Sequence, residues 1–226
     1  MLSKKIHAIL KAGEKTGWII EPEAKKLLSL AGLHVPGFKW TTSLDEALEF
    51  VHSIGYPVVV KVVSPEILHK SDVGGVVVGV ASDDQLNAAF QRFSAFQGFA
   101  GIIVEEMVSG VELIIGAKVD KQFGPVILLG MGGTGVEIYH DTCLRMAPLK
   151  QKEAESMIKS LKAHQLLEGY RGSNPVNVSA LTGMIITFSA LIMQLEDDIE
   201  SIDLNPVMCS ADNCIIADAR IVLRPK

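Results

Sequence analysis

The 226-residue chain has little cysteine, and what it has carries no recognisable pattern. Cys143, Cys209 and Cys214 are an odd number at spacings unlike a metal motif, so they read as small buried apolar side chains without chemistry. A basic excess is missing too. The 21 Lys and Arg against 26 Asp and Glu leave a net charge of −5, and no basic cluster stands out. That removes the electrostatic footprint of a nucleic-acid binder and points to a small-molecule or protein partner. No apolar stretch approaches about 18 residues without charge or turn punctuation, so no membrane span is expected. Lys4, Lys5 and Lys11 make the N-terminal segment amphipathic, without a signal peptide's apolar core, and a cytoplasmic protein is the expectation. Repeats and low-complexity tracts are absent. The segment Gly130-Met-Gly132-Gly133-Thr134-Gly135 lacks both the lysine of a Walker loop and the spacing of a Rossmann fingerprint. Its glycines fit either a flexible turn or a backbone that approaches a phosphate or a partner loop closely.

What is present is an ordinary globular composition, 48% hydrophobic and 21% charged, long enough for one large domain or two lobes. Glu21 to Ala31 reads as a helix with proline in its first turn and Gly32 beyond its end. Ser43 with Glu46, and Ser82 with Gln85, have the spacing of capping boxes and open two further helices. Pro57 to Val63, Gly75 to Val80 and Ile102 to Glu106 are short apolar runs of strand type. Strands this closely spaced have no room for crossover helices and must pair antiparallel, which gives an α+β fold rather than a Rossmann sheet. Ile102 to Glu106, Val111 to Val119 and Pro125 to Gly130 suggest a meander. Lys150 to Ala163 and Ser179 to Leu195 read as helices, and Ile199 to Pro206 and Cys214 to Asp218 as closing strands. The expected organisation is an N-terminal helical segment 1–20, a small lobe 21–105 and a large lobe 106–226, with a ligand cleft between the lobes and a hinge near Glu105 and Glu106.

The densest chemistry lies between Lys61 and Val76. Lys61 sits inside a valine-rich run, where an ammonium needs an anionic partner: a nucleotide phosphate, or a nearby carboxylate. His69 comes next, in a loop with Lys70, Asp72, Gly74 and Gly75, and a neutral imidazole can attack phosphorus. The glycines read as the freedom a moving phosphohistidine needs. His7, His34, His52, His140 and His164 read as structural or exposed. Glu105, Glu106, Met107 and Val108 bridge the lobes, where exposed backbone can meet an adenine edge and a carboxylate can accept from ribose hydroxyls, and Glu112 lies on the next strand. Asp203 and Asn205 share one face of a strand whose Leu204 points inward. If the next strand pairs with it, Asp218 comes beside Asn205, and such hard oxygens suit Mg²⁺.

Pro57-Val-Val-Val-Lys61, His69-Lys70-Ser71-Asp72-Val-Gly74-Gly75-Val76, Val111-Glu112-Leu, Phe123-Gly124-Pro125-Val126, Gly132-Gly133, Asp203-Leu-Asn205-Pro206 and Asp218-Ala219-Arg220 occur in this order, within a likeness that runs over nearly the whole chain, roughly from Glu21 to Leu223. The whole resembles the ATP-grasp β subunit of ADP-forming acetyl-CoA synthetases, with the succinyl-CoA synthetase β subunit as a more distant likeness. The resemblance implies the ATP-grasp fold, two antiparallel α+β lobes with the nucleotide between them. It implies phosphoryl transfer between ATP or ADP and a phosphohistidine, coupled to interconversion of acyl-CoA and carboxylate. By position, Lys61 would hold phosphate, Glu105 to Val108 would line adenine and ribose, and Glu112 would hold the ribose. Asn205 and Asp218 would carry Mg²⁺ with Asp203 in support, and His69 would relay the phosphoryl group. A CoA-binding α subunit, or a fused α domain, would complete the reaction in an α2β2-type assembly, with neither nucleic acid nor membrane as partner. Two alternatives are a non-catalytic ATP-grasp module of a fused acyltransferase and an ATP-grasp carboxylate–amine ligase; the second needs no His69.

Overall fold

The structure, a computed structural model, describes residues 2–67, 69–133 and 140–225. The chain divides into two compact units, one of Met1–Val35 with Ser109–Lys226, the other of Pro36–Val108. Elements are numbered along the chain.

The larger unit is built on a seven-stranded antiparallel sheet. Its strands are β1 Trp18–Ile19, β6 Val111–Asp120, β7 Gly124–Met131, β8 Thr142–Met146, β9 Ile199–Cys209, β10 Cys214–Ile216 and β11 Ala219–Leu223. They run in the order β1-β11-β9-β6-β7-β8, with β10 also paired to β9. Burial alternates along β6 and β9, as one covered sheet face demands: Leu113, Ile115, Ile202 and Leu204 point inward, while Glu112 and Lys118 are exposed. The inward face shares one core with helices α1 Lys4–Gly13, α2 Glu21–Leu30, α5 Gln151–Ser160 and α6 Val178–Leu195. Ile6, Ile9 and Leu10 recur at helical spacing and bury the apolar side of α1.

The smaller unit has four antiparallel strands, β2 Phe38–Thr41, β3 Val58–Val63, β4 Val76–Val80 and β5 Gly101–Glu106, in the order β2-β5-β3-β4. Helices α3 Leu44–Ile54 and α4 Asp83–Ser94 lay Ala47, Val51, Leu86, Ala89 and Phe93 against Val58, Val60, Val62, Ile102 and Val104. Strand β3 is buried on its other face as well, at Lys61 and Val63, which is why its sequence is an unbroken apolar run rather than an alternating one.

Several expectations need correction. The first 35 residues join the larger unit, because α1 and α2 bury their apolar sides in its core and Trp18–Ile19 pairs with β11; neither a separate segment 1–20 nor a small lobe starting at residue 21 describes this division. The meander is β6-β7-β8, since β5 belongs to the other sheet. Helix α6 is an 18-residue run without a charged residue, contrary to the expected absence of such a stretch. Half of it is buried, with Leu181, Ile185, Phe188, Ile192 and Leu195 in the core, and the serine, threonine and glycine within it mark no turn. Leu30 is exposed, so the apolar side chains that α2 buries are Ala24, Leu27 and Leu28, with Pro22 in its first turn. Ser43 and Ser82 do cap their helices, accepting from the N–H groups of Glu46 and Gln85. The reciprocal halves differ: Glu46 turns to Thr41 and Lys39, and Gln85 accepts from Ala81 N–H. Finally, Cys209 and Cys214 face each other across β9 and β10 and are joined as a disulfide; the hairpin, invisible in the cysteine count, brings them together.

Candidate functional site

In the smaller unit the two central strands place the first group. Strand β3 pairs with β5 so that Val59 lies opposite Glu105 and Lys61 opposite Ile103. Side chains alternate across a sheet, so Lys61 and Glu105 become diagonal neighbours on one face. Their ammonium and carboxylate meet at 2.7 Å, and both residues are buried, with 5% and 2% of their surface exposed. Of the two partners the sequence leaves open for Lys61, the structure supplies the carboxylate. Glu106 turns the opposite way. Its carboxylate accepts from Gly37 N–H at 2.9 Å, and its own N–H donates to Gly37 O at 3.0 Å, so it fastens the entry to β2. Met107 is exposed and Val108 half-buried beyond the strand's end.

His69 is exposed in the connection between β3 and β4. The residues after it, Lys70 to Gly75, form a closed turn rather than a loose tether. Gly74 N–H donates to Ser71 O at 3.1 Å, Gly75 N–H to Lys70 O at 2.6 Å, and Val62 N–H to Gly75 O at 2.9 Å. Gly74 has φ 68°, the left-handed region, and a Cβ on Gly75 would stand 2.6 Å from Val62 Cγ1. The glycines therefore serve a tight turn against β3, which corrects their reading as freedom for movement. Arg92, in the last turn of α4, donates to Gly74 O at 2.6 Å and stacks over Phe93. No sequence motif assigns Arg92 a role, and its only signal is a cation ending the helix after the loop. Ser64 holds the other end, donating to Gln97 O and accepting from Glu66 N–H.

In the larger unit the second group lies on the solvent-facing side of the sheet. Glu112, on β6, is exposed, and its carbonyl accepts from Gly132 N–H at 2.6 Å. A Cβ on Gly132 would stand 2.7 Å from the Glu112 backbone, so this glycine allows the loop after β7 to press on the strand that carries Glu112. Thr134 and Gly135, expected as part of that loop, lie outside the described residues. On β9, Asn205 is exposed and Leu204 fully buried, as the alternation requires. Asn205 N–H donates to Asp218 O at 3.2 Å, so the expected neighbourhood of these two residues is realised at the backbone. Asp203 lies opposite Arg220 on β11, with 3.6 Å between guanidinium and carboxylate.

The donor set fits Mg²⁺ in kind. An amide and two partly exposed carboxylates are hard oxygens within reach of water, and Mg²⁺ takes a few such ligands while keeping waters and phosphate oxygens. Among the described residues no group of three His, Cys, Asp or Glu side chains forms a closed metal cage. The other histidines make local bonds: His7 with Ser3 O, His34 with Asn213, His52 with Asp83 and His164 with Leu161 O.

Comparison with known proteins places these residues in context. The model of the ATP-grasp domain matches residues 10–223. Acetate–CoA ligase [ADP-forming] I subunit beta of Pyrococcus furiosus is 39% identical, over 98% of this chain and 99% of that one. Acetate–CoA ligase [ADP-forming] I of Archaeoglobus fulgidus is also 39% identical over 96% of this chain, which spans only 32% of it. Among solved structures, acetyl-coenzyme A synthetase 1 of Candidatus Korarchaeum cryptofilum aligns with TM-score 0.85 and 39% identity, over 97% of this chain and all of the matched one. It was solved with coenzyme A and Mg-AMPPCP, its phosphohistidine segment pointing towards the nucleotide binding site.

Proposed function

The chain belongs to the ATP-grasp family, and we propose that it is the nucleotide-handling β subunit of an ADP-forming acyl-CoA synthetase. The observation that carries this reading is the end-to-end match to the Pyrococcus subunit, 98% of one chain on 99% of the other. The reaction is acyl-CoA + ADP + phosphate ⇌ carboxylate + ATP + CoA. Its partner is a CoA-binding α subunit, or the corresponding part of a fused chain, in an assembly of α2β2 type. The cytoplasm is its place, with neither nucleic acid nor membrane as partner.

Phosphoryl transfer asks a protein for position and charge neutralisation more than for covalent chemistry. Lys61 binds nucleotide phosphate from a rigid strand. The backbone from Glu105 to Val108 meets the adenine edge, and Glu112 accepts from the ribose hydroxyls. Asn205 and Asp218 would hold Mg²⁺, with Asp203 in support, and the ion would supply positive charge to screen the phosphate oxygens. His69 relays the group: a neutral ring nitrogen attacks the phosphorus carried by a phosphohistidine of the α partner, a P–N bond forms as the donor's P–N bond breaks and the donor nitrogen takes back its electron pair, and an oxygen of the ADP β-phosphate later displaces the His69 nitrogen, which recovers its own pair. In the reverse direction the same bonds form and break in the opposite order.

Incubation of the full chain with γ-labelled ATP and Mg²⁺, alone and with its α partner, tests this reading. An acid-labile, base-stable label that disappears in His69→Ala is the expected result. ATP bound without any such label under either condition removes His69 from the pathway.

A further inference from the structure

We propose that the Glu105 carboxylate is a positioning residue for Lys61 and is not itself a nucleotide ligand. This rests on the reading of Lys61 as a phosphate-binding cation. The pairing register brings the two side chains diagonally together, and their charged atoms lie 2.7 Å apart. On the same face Ile103, directly opposite Lys61, has no exposed surface and Val63 is buried, while Val60, Val62 and Val104 fill the helix-covered face behind the pair. Removing two charges from water costs several kcal/mol per ion, and an apolar pair of similar volume is often no less stable. Stability alone gives no reason for an ion pair here. A reason appears once Lys61 is asked to meet an anion. Its side chain is a flexible stem with a compact charge, and ordering it at the moment of binding costs affinity. Glu105 orders it beforehand.

An ammonium has three N–H donors and no acceptor, so it can address more than one anion, and the contact with Glu105 Oε1 takes one of those donors. A carboxylate at this place repels phosphate, so Glu105 gains nothing as a direct contact to that part of the nucleotide. Reaching a ribose would require it to give up its 2.7 Å contact with Lys61 inside the sheet, which is costly for two buried charges. The two adjacent glutamates therefore divide their work within one unit: Glu105 aligns the cation, and Glu106 ties the sheet's outer strand through Gly37.

The test is competition binding of ATP and of adenosine against a fluorescent ATP analogue, on the full chain with Mg²⁺, using Glu105→Gln, Lys61→Met and the double variant. Glu105→Gln is expected to weaken ATP by about tenfold or more and to leave adenosine within about twofold. In the Lys61→Met background the same change is expected to alter ATP affinity by less than about twofold, the non-additivity of a coupled pair. Equal losses for ATP and adenosine, or equal effects of Glu105→Gln in both backgrounds, overturn the proposal. If Lys61→Met alone is poorly folded, the difference between ATP and adenosine in Glu105→Gln and Glu105→Asp carries the test without the cycle. Glu105→Asp, which retains the charge on a shorter stem, is expected to lose ATP affinity without losing adenosine; a parallel loss of both counts against the idea. A wild-type chain that binds neither ATP nor ADP overturns the nucleotide reading itself, and that outcome is distinct from a failed cycle.

Discussion

The two sheets handle charge in opposite ways. In the smaller unit, Lys61 and Glu105 are buried and hold each other at 2.7 Å. In the larger unit, Glu112, Asp203, Asn205 and Asp218 lie on the wet face of the sheet, partly or fully exposed. Under the roles proposed above, the difference follows from what each group would have to do. A cation that anchors phosphate gains from a fixed direction, and burial fixes it at the expense of desolvation. Ligands of an exchangeable Mg²⁺ need water at hand, because that ion keeps part of its hydration shell. One sheet is preorganised, the other adaptable.

The largest expected effect probes that contrast directly. Lys61→Met leaves Glu105 charged and without its cation, and chemical unfolding should show a loss of about 3–5 kcal/mol. Asn205→Ala, on the exposed face, should change stability by no more than about 0.5 kcal/mol. Comparable losses at the two positions would erase the distinction. Next comes Gly132→Ala, whose Cβ would press on the Glu112 backbone; thermal unfolding and nucleotide titration should report about 1–3 kcal/mol of overpacking together with weaker binding. Asn205→Ala and Asp218→Asn should each raise the Mg²⁺ concentration needed for half-maximal phosphohistidine formation by about tenfold, roughly 1.4 kcal/mol, with adenosine binding unchanged.

The smallest effect lies on the surface of the smaller unit. The Tyr56 hydroxyl, at 2.8 Å, and then the His52 ring hold the Asp83 carboxyl below its usual range. Burial and then Asp83 push the Tyr56 phenol up. Because the folded carboxyl is the stronger acid, its contribution is present above the unfolded carboxylate range and is lost as pH falls through the depressed folded value. Thermal scans from neutral to acidic pH should show Asp83→Asn losing a modest part of this stability at neutral pH and converging with the wild type in acid. Parallel curves would count against it.

Much of this was legible in the sequence because it depends on local patterns. The cap residues Ser43 and Ser82, the glycine stops, and the apolar periods placed α2, α3, α4 and most strands to within a few residues. Adjacent strands without crossover room implied the antiparallel sheets. Among the strands that escaped, β1 has two residues, β8 is mostly exposed, and β11 comes after Asp218 with no turn signal. What failed depends on pairings distant in sequence. Nothing near residue 21 reveals that α2 packs on a sheet made after residue 109, and nothing near Lys61 reveals Glu105, 44 positions later, as the residue at 2.7 Å. The types of candidate residue could be read, but their partners had to be seen.

Strand β1 has a consequence beyond closing the sheet. Trp18 and Ile19 pair with Val222 and Ile221, so segments near the two ends of the polypeptide are stitched side by side at one sheet border. A polypeptide added after residue 223 leaves the fold at that border, and one added ahead of α1 meets a helix whose apolar side is packed in the same core. Such a layout tolerates circular permutation and gene fusion, because neither rearrangement needs to thread through the core. It makes architectural sense of relatives that exist as a stand-alone chain of this length in Pyrococcus and as one third of a longer chain in Archaeoglobus.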